Sequence, residues 1–332
     1  MTFKLALLGA GRIGKVHAKA VQATVGAELV AVADAFEEAA RSLADMYGAE
    51  VRTIAEIEAS SDVDGVIICS PTDTHADLIE QFARAGKAIF CEKPVDLSVE
   101  RVRECLKVVE YTNGFLMLGF NRRFDRHFRA VRDQISNGAI GAVEMVQITS
   151  RDPSPPLPSY VAVSGGIFRD MTIHDFDMAR FLLGEEVETV QAAGSVLVDP
   201  EIGKQGDFDS ASVILTTASG KQCAISNSRR ATYGYDQRIE VHGSKGVVSA
   251  ENQRAFSIEV GTAEGYTRPP LLDFFMERYM EAYASEIAMF VEYASTGKIA
   301  NPSGEDGLKA LILAEAALKS VQEKRVVAVS EI

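Results

Sequence analysis

Three groups of residues in this 332-residue chain have types and spacings suited to chemistry. The first is Asp170 with His174 in RDMTIHDFDMARFLLG (169–184), where one of only five histidines sits among Asp170, Asp175 and Asp177. On a helix, residues four apart share a face, about 5–6 Å apart at Cβ. A carboxylate bonded to one imidazole nitrogen fixes the tautomer and raises the basicity of the other, which suits removal of a hydroxyl proton. The segment also reads as a helix start, because Thr172-x-x-Asp175 resembles a capping box and acids favour the positive helix end. Both readings can hold, with Thr172 and Asp175 capping while Asp170 and His174 act. No metal is expected, since there is no HExxH and no second histidine close in sequence. Asp177 is left without a role.

The second group is Glu92-Lys93-Pro94, directly after the apolar run AIFC. Proline fixes its own backbone and disfavours helix for the residue before it, so Lys93 is held extended at a strand end. There it can reach across a crevice as a cation or proton donor. The alternative is a surface ion pair between Glu92 and Lys93.

The third group is GAGRIG, with Gly9, Gly11 and Gly14. Gly9 permits a tight turn, Gly11 lets backbone N–H groups approach a pyrophosphate, and Gly14 lets a helix pack closely on a sheet. Arg12 and Ile13 complete the loop. Asp34 ends the next apolar run, 25 residues after Gly9, where a carboxylate accepts both ribose hydroxyls of NAD. It repels the 2′-phosphate of NADP, and Ala35 and Phe36 provide no neutralising arginine. NAD is the expected cofactor. Ser70, Pro71, Thr72 and His75 in CSPTDTHADLI follow a third apolar run and are further candidates for cofactor contact. For a helix-opening histidine such as His75, a structural role is the alternative.

The elements that carry these residues alternate. KLALLGAG, ELVAVAD, VDGVIICS, KAIFCEK and LMLGF read as strands, with amphipathic helical stretches between them. That spacing implies βαβ crossovers and a doubly wound parallel sheet. After residue 120 the texture changes to strand pairs with turn residues, turning at SGK and GSKG, which suggests a mainly antiparallel sheet with a helix on one face. PSPPLPSYVAVSGG reads as a loop, and residues 272–296 and 304–323 as helices. The expected fold is α/β, with a dinucleotide-binding domain over 1–120 and a substrate-binding and oligomerisation domain over 121–332.

Two further polar clusters stand near that change. GFNRRFD carries Asn121, Arg122 and Arg123, and YGYDQR carries Tyr233 and Tyr235. Each suits substrate hydroxyls or stitching between domains, and the residue types do not decide between these.

Composition narrows the partners. A formal charge of −13 argues against nucleic acid or an anionic membrane surface, both of which need basic patches. No apolar run approaches 18 residues, and glycine arrives too early at the N-terminus for a signal peptide. The four cysteines show no CxxC spacing and read as free buried thiols, so a cytoplasmic protein is expected.

GAGRIG, Asp34, CSPTDTH, EKP, GFNRRFD and RDMTIHDFD, in this order, resemble the Gfo/Idh/MocA oxidoreductases over nearly the whole chain. SGGIFRDMTIHDFDMARFLLGEE and SNSRRATYGYDQRIEVHGSKG look closest to the family's inositol-oxidising members. The resemblance implies a Rossmann domain, a C-terminal domain with an open, mainly antiparallel sheet, and a homotetramer. It implies NAD-dependent oxidation of myo-inositol to 2-keto-myo-inositol (scyllo-inosose), or of another cyclic polyol or aldose such as scyllo-inositol. By position, Lys93, Asp170 and His174 match the catalytic set: His174 as base, Asp170 as its partner, and Lys93 on the reacting oxygen. Arg123, Asp152 and Tyr235, with Asn121 and Tyr233, fall where family members hold substrate. A regulator that binds NAD(H) without turnover would be expected to lack Lys93 or the Asp170–His174 pair, and all three are present.

Overall fold

The computed structural model describes residues 2–332, which form two compact units. The first comprises residues 2–125 together with 280–311, and the second residues 126–279 together with 312–332.

In the first unit six strands make one sheet: β1 (Phe3–Leu8), β2 (Ala27–Ala33), β3 (Glu50–Val51), β4 (Gly65–Ile68), β5 (Ala88–Cys91) and β6 (Leu116–Leu118). Their order is β3-β2-β1-β4-β5-β6, and every pair is parallel. Strands covered on both faces need continuous apolar runs, and every residue of β4 (GVII) is buried. The order reverses between β1 and β4, which opens a crevice beyond their carboxyl ends. The loops that carry Gly9 and Ser70 leave the sheet at this point.

The chain returns to this unit after residue 279. The helix Met280–Thr296 packs on the helix Arg12–Ala23, and Phe290 meets Phe3 and Phe90 edge-on at 6.2 and 5.7 Å. A single boundary at residue 120 does not describe this re-entry. The apolar face of a helix states that it must be covered, but not by which earlier segment.

The second unit holds a seven-stranded sheet in the order β12-β11-β7-β10-β9-β8-β15. Its strands are β7 (Val143–Arg151), β8 (Val187–Ser195), β9 (Ser210–Thr217), β10 (Gln222–Ser228), β11 (Asp236–Gly243), β12 (Gly246–Ala250) and β15 (Val327–Ala328). A separate hairpin pairs β13 (Val260–Thr262) with β14 (Gly265–Thr267). Only β10 and β7 run parallel, so the sheet is mainly antiparallel. Alternation follows the pleat: Val146, Ile148, Cys223, Ile225, Val213 and Leu215 are buried on the face that takes the helix Ile173–Leu183. On the opposite face Met145, Ile214 and Val247 are exposed. The stretch 153–166, expected as a loop, contains a short helix, Pro158–Ser164, with proline at its first turn.

Candidate active site

In the first unit the glycine loop is built for close backbone contact. Gly9 has φ +102°, and a Cβ there would sit 2.6 Å from the Cys69 carbonyl and 2.7 Å from Ser70 N. A Cβ on Gly14 would fall 2.0 Å from Gly9 O, so the helix Arg12–Ala23 touches the loop directly. Gly11 caps that helix with no side-chain bond, no acid occupies its first turn, and open space surrounds the Gly11 Cα. The helix N-terminus is therefore free of competing side-chain acceptors, which fits a pyrophosphate. Arg12 is exposed and Ile13 half-buried beside it. Asp34 is fixed at the end of β2, where its carboxylate accepts N–H bonds from Ala10 (2.6 Å) and Phe36 (2.8 Å). Each oxygen keeps acceptor capacity for a ribose hydroxyl.

Ser70 bonds Thr74 at 2.6 Å, while Pro71 is exposed and Thr72 half-buried. His75 opens the helix His75–Arg84 and is buried, with Nδ1 2.8 Å from the Pro94 carbonyl and Nε2 2.8 Å from the Ser70 carbonyl. Both ring nitrogens are thus engaged by backbone, and the side chain braces the Ser70 loop against the Lys93 loop. Lys93 follows β5 and is half-buried, and its backbone N–H donates to Glu92 Oε2 at 3.3 Å. The expected alternative, a surface pair between the Glu92 and Lys93 side chains, gives way to a 2.7 Å contact of Glu92 Oε1 with the buried His17.

In the second unit Phe168–Thr172 forms a π-helical turn that runs directly into the helix Ile173–Leu183. Such turns are frequent at functional sites. Asp170 stands in the π turn and His174 in the first α-helical turn, both half-buried. The capping reading of Thr172 and Asp175 is overturned. Thr172 is already helical (φ −66°, ψ −20°), so the α-helix has no true start there, and its side chain makes no capping bond. Its hydroxyl donates to Asn227 Oδ1 at 2.7 Å instead. Asp175 is fully buried and accepts from Ser150 Oγ (2.6 Å) and Asn227 Nδ2 (2.8 Å). Asp177 is buried in the same helix.

Asp170 has two partners that sequence reasoning missed. Tyr160 donates to Oδ1 at 2.9 Å and Arg229 to Oδ2 at 3.3 Å. Arg229 is almost fully buried and also donates to Asp207 Oδ2 at 3.4 Å, while Asp207 Oδ1 accepts the N–H of Ile167 at the head of the π turn. A buried arginine joins two carboxylates here. The only signal in the sequence was an arginine pair, Arg229-Arg230, at a strand end.

The remaining candidates divide. Arg123 is buried and donates to Asn301 Oδ1 (2.9 Å) and Asp306 Oδ1 (3.0 Å). Asn121 is buried beside it in sequence. In the second unit Asp152 follows β7, half-buried, with its N–H on the Ser228 carbonyl. Tyr233 is half-exposed; its hydroxyl donates to Asp236 Oδ2 at 2.7 Å and accepts from Arg151 at 3.0 Å. Burial, then the bond to Asp236, raises the Tyr233 phenol above its ordinary value. Burial opposes ionisation of Asp236, but bonds from Arg238, Tyr233 and Asn252 outweigh it and hold the carboxyl below its usual range. Tyr235 is buried against Phe274 and Tyr279, each 6.0 Å between ring centres.

Both halves have counterparts among known proteins. Residues 3–120 match the model of the Gfo/Idh/MocA oxidoreductase family, NAD-binding Rossmann fold, and residues 128–249 match a Gfo/Idh/MocA C-terminal domain. The inositol 2-dehydrogenase of Rhizobium meliloti is 68% identical over 330 residues, spanning 99% of this chain and all of that one. The crystal structure of a myo-inositol dehydrogenase from Corynebacterium glutamicum, 44% identical, superimposes with a TM-score of 0.96 over 99% of each chain. A scyllo-inositol dehydrogenase from Lactobacillus casei, solved with NAD(H) and scyllo-inositol, is 29% identical with a TM-score of 0.92, covering 99% of this chain and 100% of that one. With both domain models matched in order and a relative this similar over its full length, the chain belongs to the Gfo/Idh/MocA family of NAD-binding oxidoreductases.

Proposed function

We propose that the protein oxidises myo-inositol to 2-keto-myo-inositol with NAD. The observation that carries this reading is the end-to-end 68% identity to an inositol 2-dehydrogenase in a chain that holds Lys93 in the bend after β5 and Asp170 and His174 on helical turns. NAD, when bound, supplies the hydride acceptor. The glycine loop and the first turn of the helix Arg12–Ala23 hold the pyrophosphate, and Asp34 takes the ribose. His174 accepts the proton of the reacting hydroxyl. Asp170 orients the imidazole and stabilises its charged form, while Tyr160 and Arg229 fix the carboxylate. Lys93 binds the reacting oxygen and stabilises the negative charge that develops on it. Asp152, Tyr233 and Tyr235 hold further ring hydroxyls. Arg123, which also donates to Asn301 and Asp306, and Asn121 meet the ring as well.

A second reading keeps the mechanism and changes the isomer to scyllo-inositol, favoured by the likeness to the Lactobacillus casei enzyme. A few pocket contacts decide between such isomers. An absorbance assay for NADH formation, run with NAD and NADP against a panel of inositols and aldoses, tests both. Highest kcat/KM with myo-inositol and NAD supports the proposal; no turnover with any polyol despite NADH binding overturns it.

We also propose a cytoplasmic homotetramer. The open face of the seven-stranded sheet, with Met145, Ile214 and Val247 exposed, supports an interface between copies. Among the described residues, no helix is long and apolar enough to cross a membrane.

A further inference from the structure

Glu286, in the helix Met280–Thr296, has no solvent exposure, and neither carboxyl oxygen has a hydrogen-bond partner. Burying such a group unbonded is costly, so its retention needs a reason. It lies beside His17 and Glu92: one ligand-capable atom from each of the three residues lies within 4.8 Å of the others. His17 is fully buried on the helix Arg12–Ala23, with Nε2 2.7 Å from Glu92 Oε1 and Nδ1 unpartnered. Its ring stands edge-on to Phe90 and Tyr283, at 5.1 and 5.6 Å, which restricts its rotation. The second Glu92 oxygen accepts the Lys93 backbone N–H and packs on Gly119, where a Cβ would come within 3.0 Å of it.

Resting on the reading that Lys93 binds the reacting oxygen, we propose that Glu286, His17 and Glu92 form a positioning triad for Lys93. The two aromatic rings confine His17 while Glu286 lies against it, His17 holds Glu92, and Glu92 holds the Lys93 backbone. Two carboxylates cannot both stay charged in so small a buried space. Burial, then the charge of Glu92, pushes Glu286 well above its ordinary value, so it stands as the neutral acid. Glu92, unlike Glu286, has the imidazole and the backbone N–H of Lys93 as hydrogen-bond partners. The Cys69 and Cys91 thiols are pushed up by burial and then by Glu92, and add no charge. The Glu92 oxygen facing Nε2 favours the tautomer that presents Nε2–H to it. The cluster also has the composition of a cation site, but in the structure its one made bond joins His17 directly to Glu92.

The test uses the full-length protein with His17→Gln, Glu92→Gln and the double variant. Turnover should fall about 10²-fold in each single variant, the size expected when a reacting group is displaced by about 1 Å. NADH affinity, read by fluorescence, should stay at the wild-type value, and amide exchange at Lys93 should quicken. The double variant should be no slower than the slower single variant, because groups acting as one unit are not additive. Infrared spectra should show the band of an un-ionised carboxylic acid at neutral pH in the wild type and its loss in Glu286→Gln. If Glu92→Gln does not fold, Glu92→Asp takes its place with the same readouts.

Additive losses, unchanged turnover, NADH affinity falling in step with turnover, or no un-ionised acid band would overturn the triad. A stoichiometric divalent metal in the purified protein, lost in Glu286→Gln, would make the cluster a cation site instead. If the wild type turns over no polyol, the functional reading fails, while Lys93 exchange and the infrared band still judge the triad.

Discussion

The guanidinium of Arg229 reaches Asp170 Oδ2 at 3.3 Å from a position with almost no solvent exposure, and its other arm meets Asp207. One buried cation thus serves the proposed partner of His174 and the aspartate that anchors the head of the π turn. Removing one member of a buried ion pair leaves an uncompensated charge. Arg229→Gln should therefore cost about 3–5 kcal/mol of stability, measured by urea unfolding, and should lower turnover more than it raises the KM for polyol. Full retention of both would mean that the contacts contribute nothing.

His174→Ala should lose about 10²–10⁴-fold in turnover, the usual worth of a general base, while NADH binding stays near wild type. A variant that kept most of its turnover would remove His174 from the role of base.

Asp34→Ala should relax the preference for NAD over NADP, because the carboxylate opposes a 2′-phosphate. The ratio of kcat/KM for the two cofactors is the measurement, and an unchanged ratio would count against the ribose assignment.

Gly14→Ala places a methyl where the Gly9 carbonyl already stands, 2.0 Å from the new Cβ. The helix must move away from the glycine loop, at a cost of about 1–3 kcal/mol for overpacking. NADH titration should show weakened binding; wild-type affinity would mean that the loop tolerates the shift.

Asp236 contributes stability through a depressed carboxyl. Its folded value lies below the unfolded one, so the contribution is full above the ordinary carboxylate range and is lost as pH falls through the folded value. Asp236→Asn should be less stable than wild type at neutral pH, and the gap should close on acidification. A gap independent of pH would mean that packing, rather than charge, is responsible.

The sequence made much of this legible, for identifiable reasons. Continuous apolar runs such as GVII could only be strands covered on both faces, and GAGRIG sat between a strand and a helix, as its chemistry needs. Arg229 escaped notice because its meaning depends on Asp170 and Asp207 converging in space, 59 and 22 residues away. The Thr172 capping expectation failed because π and α turns leave the same side-chain pattern, and only backbone geometry shows the helix already running. His17 carries no signal of its own in the sequence, because its partner Glu92 is 75 positions on.

The return of residues 280–311 to the first unit sets an order of events during synthesis. When residue 125 leaves the ribosome, all six strands of the parallel sheet exist, but Phe3, Phe90 and Phe115 still lack the ring of Phe290 that later packs against them. The nascent nucleotide-binding half must wait, with that apolar surface uncovered, until residue 290 has been translated. A truncated N-terminal half is therefore an intermediate that needs protection from aggregation, and nucleotide affinity should emerge late in the life of the growing chain.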